Sequence, residues 1–242
     1  MLNLLRAMWT VLVPGRDQRD GPLPPVLLVL TVVTGLIDAF SYLSLGHVFV
    51  ANMTGNIVFV AFATAGAAGF SVTASLLALG AFLVGALVGG RVTHRFRDHR
   101  GRMLRAALTL HTVLVVGGLA AAAVSPAPYR GSALYLLIAL LGLAMGIQNA
   151  LARSLAVPDL TTTVLTMTLT GLAAEAPEFS GARTARRLLA TAALFIGSLM
   201  GAYAALRGWS ALPLLLAVAM LGVTLGVAYA LARSRGAWVN PA

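Results

Sequence analysis

The chain has no cysteine and no lysine, and only seven acidic residues among 242. Without cysteine there is no disulfide framework, no thiolate metal site and no thiol nucleophile. Without lysine, all 17 basic side chains are arginines, which stay charged and so report membrane orientation clearly. Charge of either sign is scarce: 10% charged residues against 59% hydrophobic ones, with a mean hydropathy of +0.90, excludes the balance of a soluble globular domain. The recurring catalytic signatures are also missing. There is no His-Glu-x-x-His run, no Gly-x-Ser-x-Gly elbow and no pair of acids within neighbouring spans, so the chain is not read as an enzyme, and no cofactor or metal is expected.

What is present is long apolar sequence. Six stretches of about 21 residues, at 26–46, 72–92, 104–124, 132–152, 186–206 and 212–232, are each long enough to span about 30 Å of hydrocarbon. Two shorter stretches, 53–69 and 163–176, follow the first and fourth. The arginines decide whether those cross. With six spans, 15 arginines fall on one side and only Arg130 and Arg207 on the other; with eight, arranged as a 4+4 parallel repeat, they split 8 to 9 and give no orientation signal. The preferred fold is therefore an all-α polytopic membrane bundle of six spans plus two re-entrant segments, with both termini cytoplasmic. The net charge of +10 follows from this orientation, which argues against a nucleic-acid partner and leaves the lipid bilayer as the expected one.

An offset of 111 to 112 residues runs through the chain. Gly35, Asp38 and Ala39 recur as Gly146, Asn149 and Ala150, Thr54 as Thr166, and Gly85 and Gly89 as Gly197 and Gly201. Three crossings per copy is an odd number, so the second copy is expected to be inverted, a 3+3 arrangement in which broken segments approach a shared mid-depth site. Residues 1–25 then form an interfacial helix and linker, 26–124 the first repeat, 125–131 an external loop, 132–232 the second repeat and 233–242 a tail. No small-residue cleavage site follows residues 1–13, so these are read as an amphipathic surface helix and not as a signal peptide.

The run Gly35-Leu-Ile-Asp38-Ala-Phe-Ser-Tyr-Leu, followed by Phe49-Val-Ala-Asn52-Met-Thr54-Gly55-Asn56, resembles the signature of the YoaK-like family of bacterial membrane proteins. That resemblance implies a small multi-pass protein of the bacterial cytoplasmic membrane. It supplies no substrate and no functional residues.

The candidate site is therefore read from the residues. Asp38 is the sole acid within the six spans, and a lone carboxylate there should face the protein interior. It is either a protonatable or cation-binding group or a structural acceptor for amides freed by a broken helix. Asn52, Thr54, Gly55 and Asn56 open the first short segment, where a glycine between a hydroxyl and an amide allows close backbone approach. The second is hydroxyl-rich, with Thr166, Thr168 and Thr170 as candidate binding groups, joined by Gln148 and Asn149 from the preceding span. The alternative for these hydroxyls is ordinary capping and interhelical bonding. His111 is a candidate for a proton relay. Glu175 and Glu178 are expected to pair with the arginines at 183–187. Glycine pairs at 85/89, 142/146, 197/201 and 222/226 are read as close-packing surfaces. Two function classes follow: a secondary transporter or permease for a small solute or ion, as a monomer or a homodimer, or a non-transporting scaffold or lipid-acting intramembrane enzyme.

Overall fold

Proline sets where the bundle begins. In the computed structural model, which describes residues 2–15, 19–160, 162, 170, 181–233 and 236–239, Gly21 at φ +48° turns the chain. Pro24 then opens α2 (Leu23–Ser44) with its backbone angle already helical. The surface helix α1 (Leu2–Leu12) precedes it. After α2 come α3 (Met53–Thr64), α4 (Val72–Arg95), α5 (Arg100–Val124), α6 (Gly131–Leu155), α7 (Ala182–Leu206) and α8 (Leu212–Leu231). A short 3-10 turn covers Ala237–Val239. All described regular elements are helical. Side chains cap α4 and α5: Ser71 Oγ accepts the Ala74 amide of α4, and His99 Nδ1 the Arg102 amide of α5.

Among the described residues six helices, α2 and α4 to α8, are long and apolar enough to cross a bilayer, and their bounds match the six expected spans to within a few residues. At 12 residues α3 rises only about 18 Å, well short of the hydrocarbon thickness. Burial separates the six spans. The apolar window of α2 is 72% buried and that of α6 56%, whereas the other four reach only 28 to 33%. Two helices therefore lie within the bundle, while four turn much of their surface outward.

The two most extensive packing interfaces are α4 on α6 and α2 on α7. Both are glycine seams, and they correspond in detail. A Cβ at Gly85 would meet the carbonyl of Leu143, and one at Gly197 the carbonyl of Val32. A Cβ at Gly146 would meet the carbonyl of Phe82, and one at Gly35 the carbonyl of Leu194. Gly89 lies against Ala150 and Ile147, and Gly201 against Ala39 and Leu36. Every residue in the second member of each pair differs from its counterpart by the same 111 or 112 positions, with the helix roles exchanged. Three of the expected close-packing pairs thus do what the spacing suggested. The fourth does not: Gly222 and Gly226 face open space on α8, because their helix turns that side away from its neighbours.

Chain direction follows from the same contacts. Residues 82–89 of α4 run alongside 143–150 of α6, and residues 32–39 of α2 alongside 194–201 of α7, so each seam joins parallel helices. Gly101 at the start of α5 instead lies against Leu231 at the end of α8. Asp20, just before α2, lies 3.8 Å from Arg100 at the start of α5 and 2.8 Å from Arg186 in the second turn of α7. The beginnings of α2, α5 and α7 and the ends of α4, α6 and α8 therefore share one end of the bundle, the end that carries most of the arginines.

Candidate functional site

The segment between α2 and α4 folds back into the bundle. Asp38 lies six residues before the end of α2, about 9 Å along the helix. Its Oδ1 accepts the amide hydrogens of Val50 at 3.0 Å and Ala51 at 2.9 Å. Residues 45–52 must then descend from the end of α2 to the depth of Asp38 before α3 climbs away. Gly46 and His47 make that reversal possible, with φ of +79° and +58°. On the way out, His47 Nδ1 lies 3.0 Å from the Gly69 carbonyl, so that nitrogen donates and the loops on either side of α3 meet at one end. This is a re-entrant hairpin: a non-helical limb in and a half-length helix out.

Asn56 closes the hairpin. It is fully buried, its Oδ1 accepts the Phe49 amide at 3.0 Å, and its Nδ2 donates to the Phe49 carbonyl at 2.6 Å. An amide side chain matches both polar groups of one backbone residue, as a neighbouring strand would. Outside it the rings of Tyr42, Phe49 and Phe59 stack at centroid distances of 4.9 and 5.7 Å, and Phe70 stacks on Phe59 at 5.1 Å. Asn52 and Thr54, read as binding groups from sequence, are exposed at the inner tip of α3, and Gly55 sits against the Phe49 ring, where a Cβ would collide with it.

The counterpart of Asp38 is Asn149, and it borders a pocket. The pocket has a volume of about 540 Å³, within the range of small-molecule sites. Phe82, Ala86 and Gly90 of α4 form one wall, and Asn149, Ala150, Arg153 and Ser154 of α6 the other. Ser154 Oγ donates to Thr93 Oγ1 at 2.9 Å and ties the two helices beside it. Asn149 Nδ2 donates to the Met145 carbonyl at 2.9 Å. The lining is mostly apolar, with an amide, a hydroxyl and a guanidinium on α6.

The other candidates are scattered. Gln148 is fully buried; its Nε2 bonds Thr34, and its Oε1 has no acceptor role filled. His111 is fully buried in α5 with neither ring nitrogen bonded. Thr170 is helical and exposed. Thr166 and Thr168 lie outside the described residues, as do Glu175 and Glu178.

At the arginine-rich end the structure shows ion pairing that the sequence reading missed. Asp20 Oδ2 binds Arg186 Nη2 at 2.8 Å, and its Oδ1 lies 3.8 Å from Arg100 Nη1. Asp159 Oδ1 accepts from Arg187 Nε at 2.9 Å. The available signal was scarcity: with seven acids for seventeen arginines, any acid next to a span end is a pairing candidate.

Comparison with known proteins agrees with a membrane protein. The chain is 33% identical over 154 residues to the UPF0700 transmembrane protein YoaK of Bacillus subtilis (strain 168), a match covering 61% of this chain. The match spans 64% of that relative's length, a little under two thirds. No solved structure matches. A family model described as a protein of unknown function, DUF1275, matches residues 26–227, nearly the whole bundle, and the chain belongs to that family of membrane proteins.

Proposed function

We propose that the protein is a secondary transporter or permease of the cytoplasmic membrane, with a small-solute site between two inverted halves and its arginine-rich end in the cytoplasm. The observation that carries this reading is the pocket between α4 and α6, which takes one wall from each half. The exchanged glycine contacts support two equivalent halves, and the opposite directions of α2 and α6 support their inversion. A half-membrane helix held at depth by a buried acid belongs to the same kind of architecture. The lining favours a solute with an apolar body and a polar or anionic group facing Arg153 and Asn149.

The test is a thermal-shift screen of small solutes on purified protein across pH, because a ligand that binds only the folded state raises its Tm. Ala86→Trp fills the pocket from the α4 side. A solute that stabilises the wild type and leaves the Trp variant unmoved supports the site; equal stabilisation of both places the ligand elsewhere and removes this reading. The second reading is a non-transporting scaffold. It is favoured by one observation: Asp38 Oδ1 and Asn56 spend their hydrogen bonds on loop backbone, as purely structural groups do.

A further inference from the structure

We infer that Arg100 and Arg186, beside Asp20, form a binding site for a phosphate-bearing anion at the arginine-rich end of the bundle, filled by an anionic phospholipid headgroup or by soluble phosphate. The site joins three parts of the chain: the turn before α2, the first residue of α5 and the second turn of α7. Arg100 is 8% exposed, and Asp20 is equally buried. Two guanidinium groups thus share one carboxylate, and Arg19 adds positive charge close to Arg100.

The hydrogen bonding is incomplete on the cationic side alone. Arg100 Nη1 and Arg186 Nε are both occluded from solvent, and among the described residues neither has a hydrogen-bond acceptor. Arg186 Nη2 bonds Asp20, and its Nη1 reaches the Pro158 carbonyl only at 3.5 Å. A buried guanidinium with unmet N–H groups is costly, so an additional acceptor bearing negative charge is what the site lacks. Phosphate oxygens suit it because the planar fork of arginine matches them two at a time. The start of α5 and the first turns of α7, which has no side-chain cap, add the positive ends of their helix dipoles. Trp238 packs on Gly21 and closes the turn that carries Asp20, so the acid is held in place beside the cations.

The competing view is a closed ion-pair cluster in which Asp20 is the sole anion. The two views differ in sign for Asp20→Asn. Removing the competing carboxylate should enlarge anion binding at the proposed site, whereas a closed cluster should only weaken.

The experiment measures Tm of the full chain in neutral detergent with added inorganic phosphate, and in nanodiscs of phosphatidylglycerol against phosphatidylcholine. A rise of several degrees with phosphatidylglycerol alone identifies a headgroup site; a rise with inorganic phosphate identifies a soluble anion. Arg100→Gln should abolish the increment, Asp20→Asn should increase it, and Arg97→Gln at an exposed position should leave it unchanged. Should Arg100→Gln not fold, Arg186→Lys, which keeps the charge and loses the fork, should reduce the increment. No rise with either probe, or an equal loss in the Arg97 variant, overturns the site.

Discussion

Asp38 Oδ1 holds the amides of Val50 and Ala51 at 3.0 and 2.9 Å, so one carboxylate oxygen fixes how deep the re-entrant limb reaches. Removing the acceptor strands two buried donors. Asp38→Ala should therefore destabilise the protein by about 1 to 3 kcal/mol for each unpaired group. Asp38→Asn keeps an oxygen in place and should retain most of that stability, as read by Tm. The same Asn variant separates mechanism from architecture. If ligand binding loses its pH dependence while Tm holds, the carboxyl couples to the solute; an unchanged pH profile leaves it as a structural acceptor.

Asn56 gives a sharper test, because its two bonds to Phe49 need a donor and an acceptor on one side chain. Asn56→Asp replaces the donor with an oxygen facing the Phe49 carbonyl. The expected cost is about 1 to 3 kcal/mol, with faster hydrogen exchange in residues 49–60 than in α2. Equal exchange in both segments would mean that the amide does not hold the hairpin.

Much of this architecture was legible in the sequence, for reasons that differ by element. Spans are visible because a bilayer imposes a minimum apolar length, and α3 was visible as a segment too short to meet it. The exchanged glycines were visible as an offset. Asn56 was found as a motif residue, but its pairing with Phe49 depends on the reversal at Gly46 and His47, which no spacing rule announces. The Asp20 cluster depends on three distant helix starts converging. Gly222 and Gly226 carry the same spacing as the packed pairs, yet spacing does not say which side of a helix meets a neighbour.

Topology can be tested without background labelling, since the chain has no cysteine. Asp98, whose side chain is 92% exposed, and Gly181 are suitable reporters for the arginine-rich end, whereas buried Arg100 is not. Asp98→Cys and Gly181→Cys should react with an impermeant thiol reagent only after permeabilisation. Ala127→Cys and Gly208→Cys should react in intact cells. Eight crossings would place positions 98 and 181 on opposite sides, so labelling of 181 but not 98 in intact cells would remove the six-span arrangement.

The glycine seams allow the proposed equivalence of two halves to be measured as energy. A methyl at Gly85 meets the Leu143 carbonyl, and a methyl at Gly197 meets the Val32 carbonyl, so both collide with backbone that cannot turn aside. Gly85→Ala and Gly197→Ala should each cost about 1 to 3 kcal/mol, because overpacking forces the helices apart. Gly222→Ala and Gly226→Ala add the same methyl to open space and should be neutral or slightly stabilising, since alanine favours the helix over glycine by about 1 kcal/mol. The comparison holds composition and helix propensity fixed and varies only what the new carbon meets. If the two halves pack equivalently, the costs at 85 and 197 should agree within about 0.5 kcal/mol. A large cost at one and none at the other would mean that one seam opens readily while the other is held tightly.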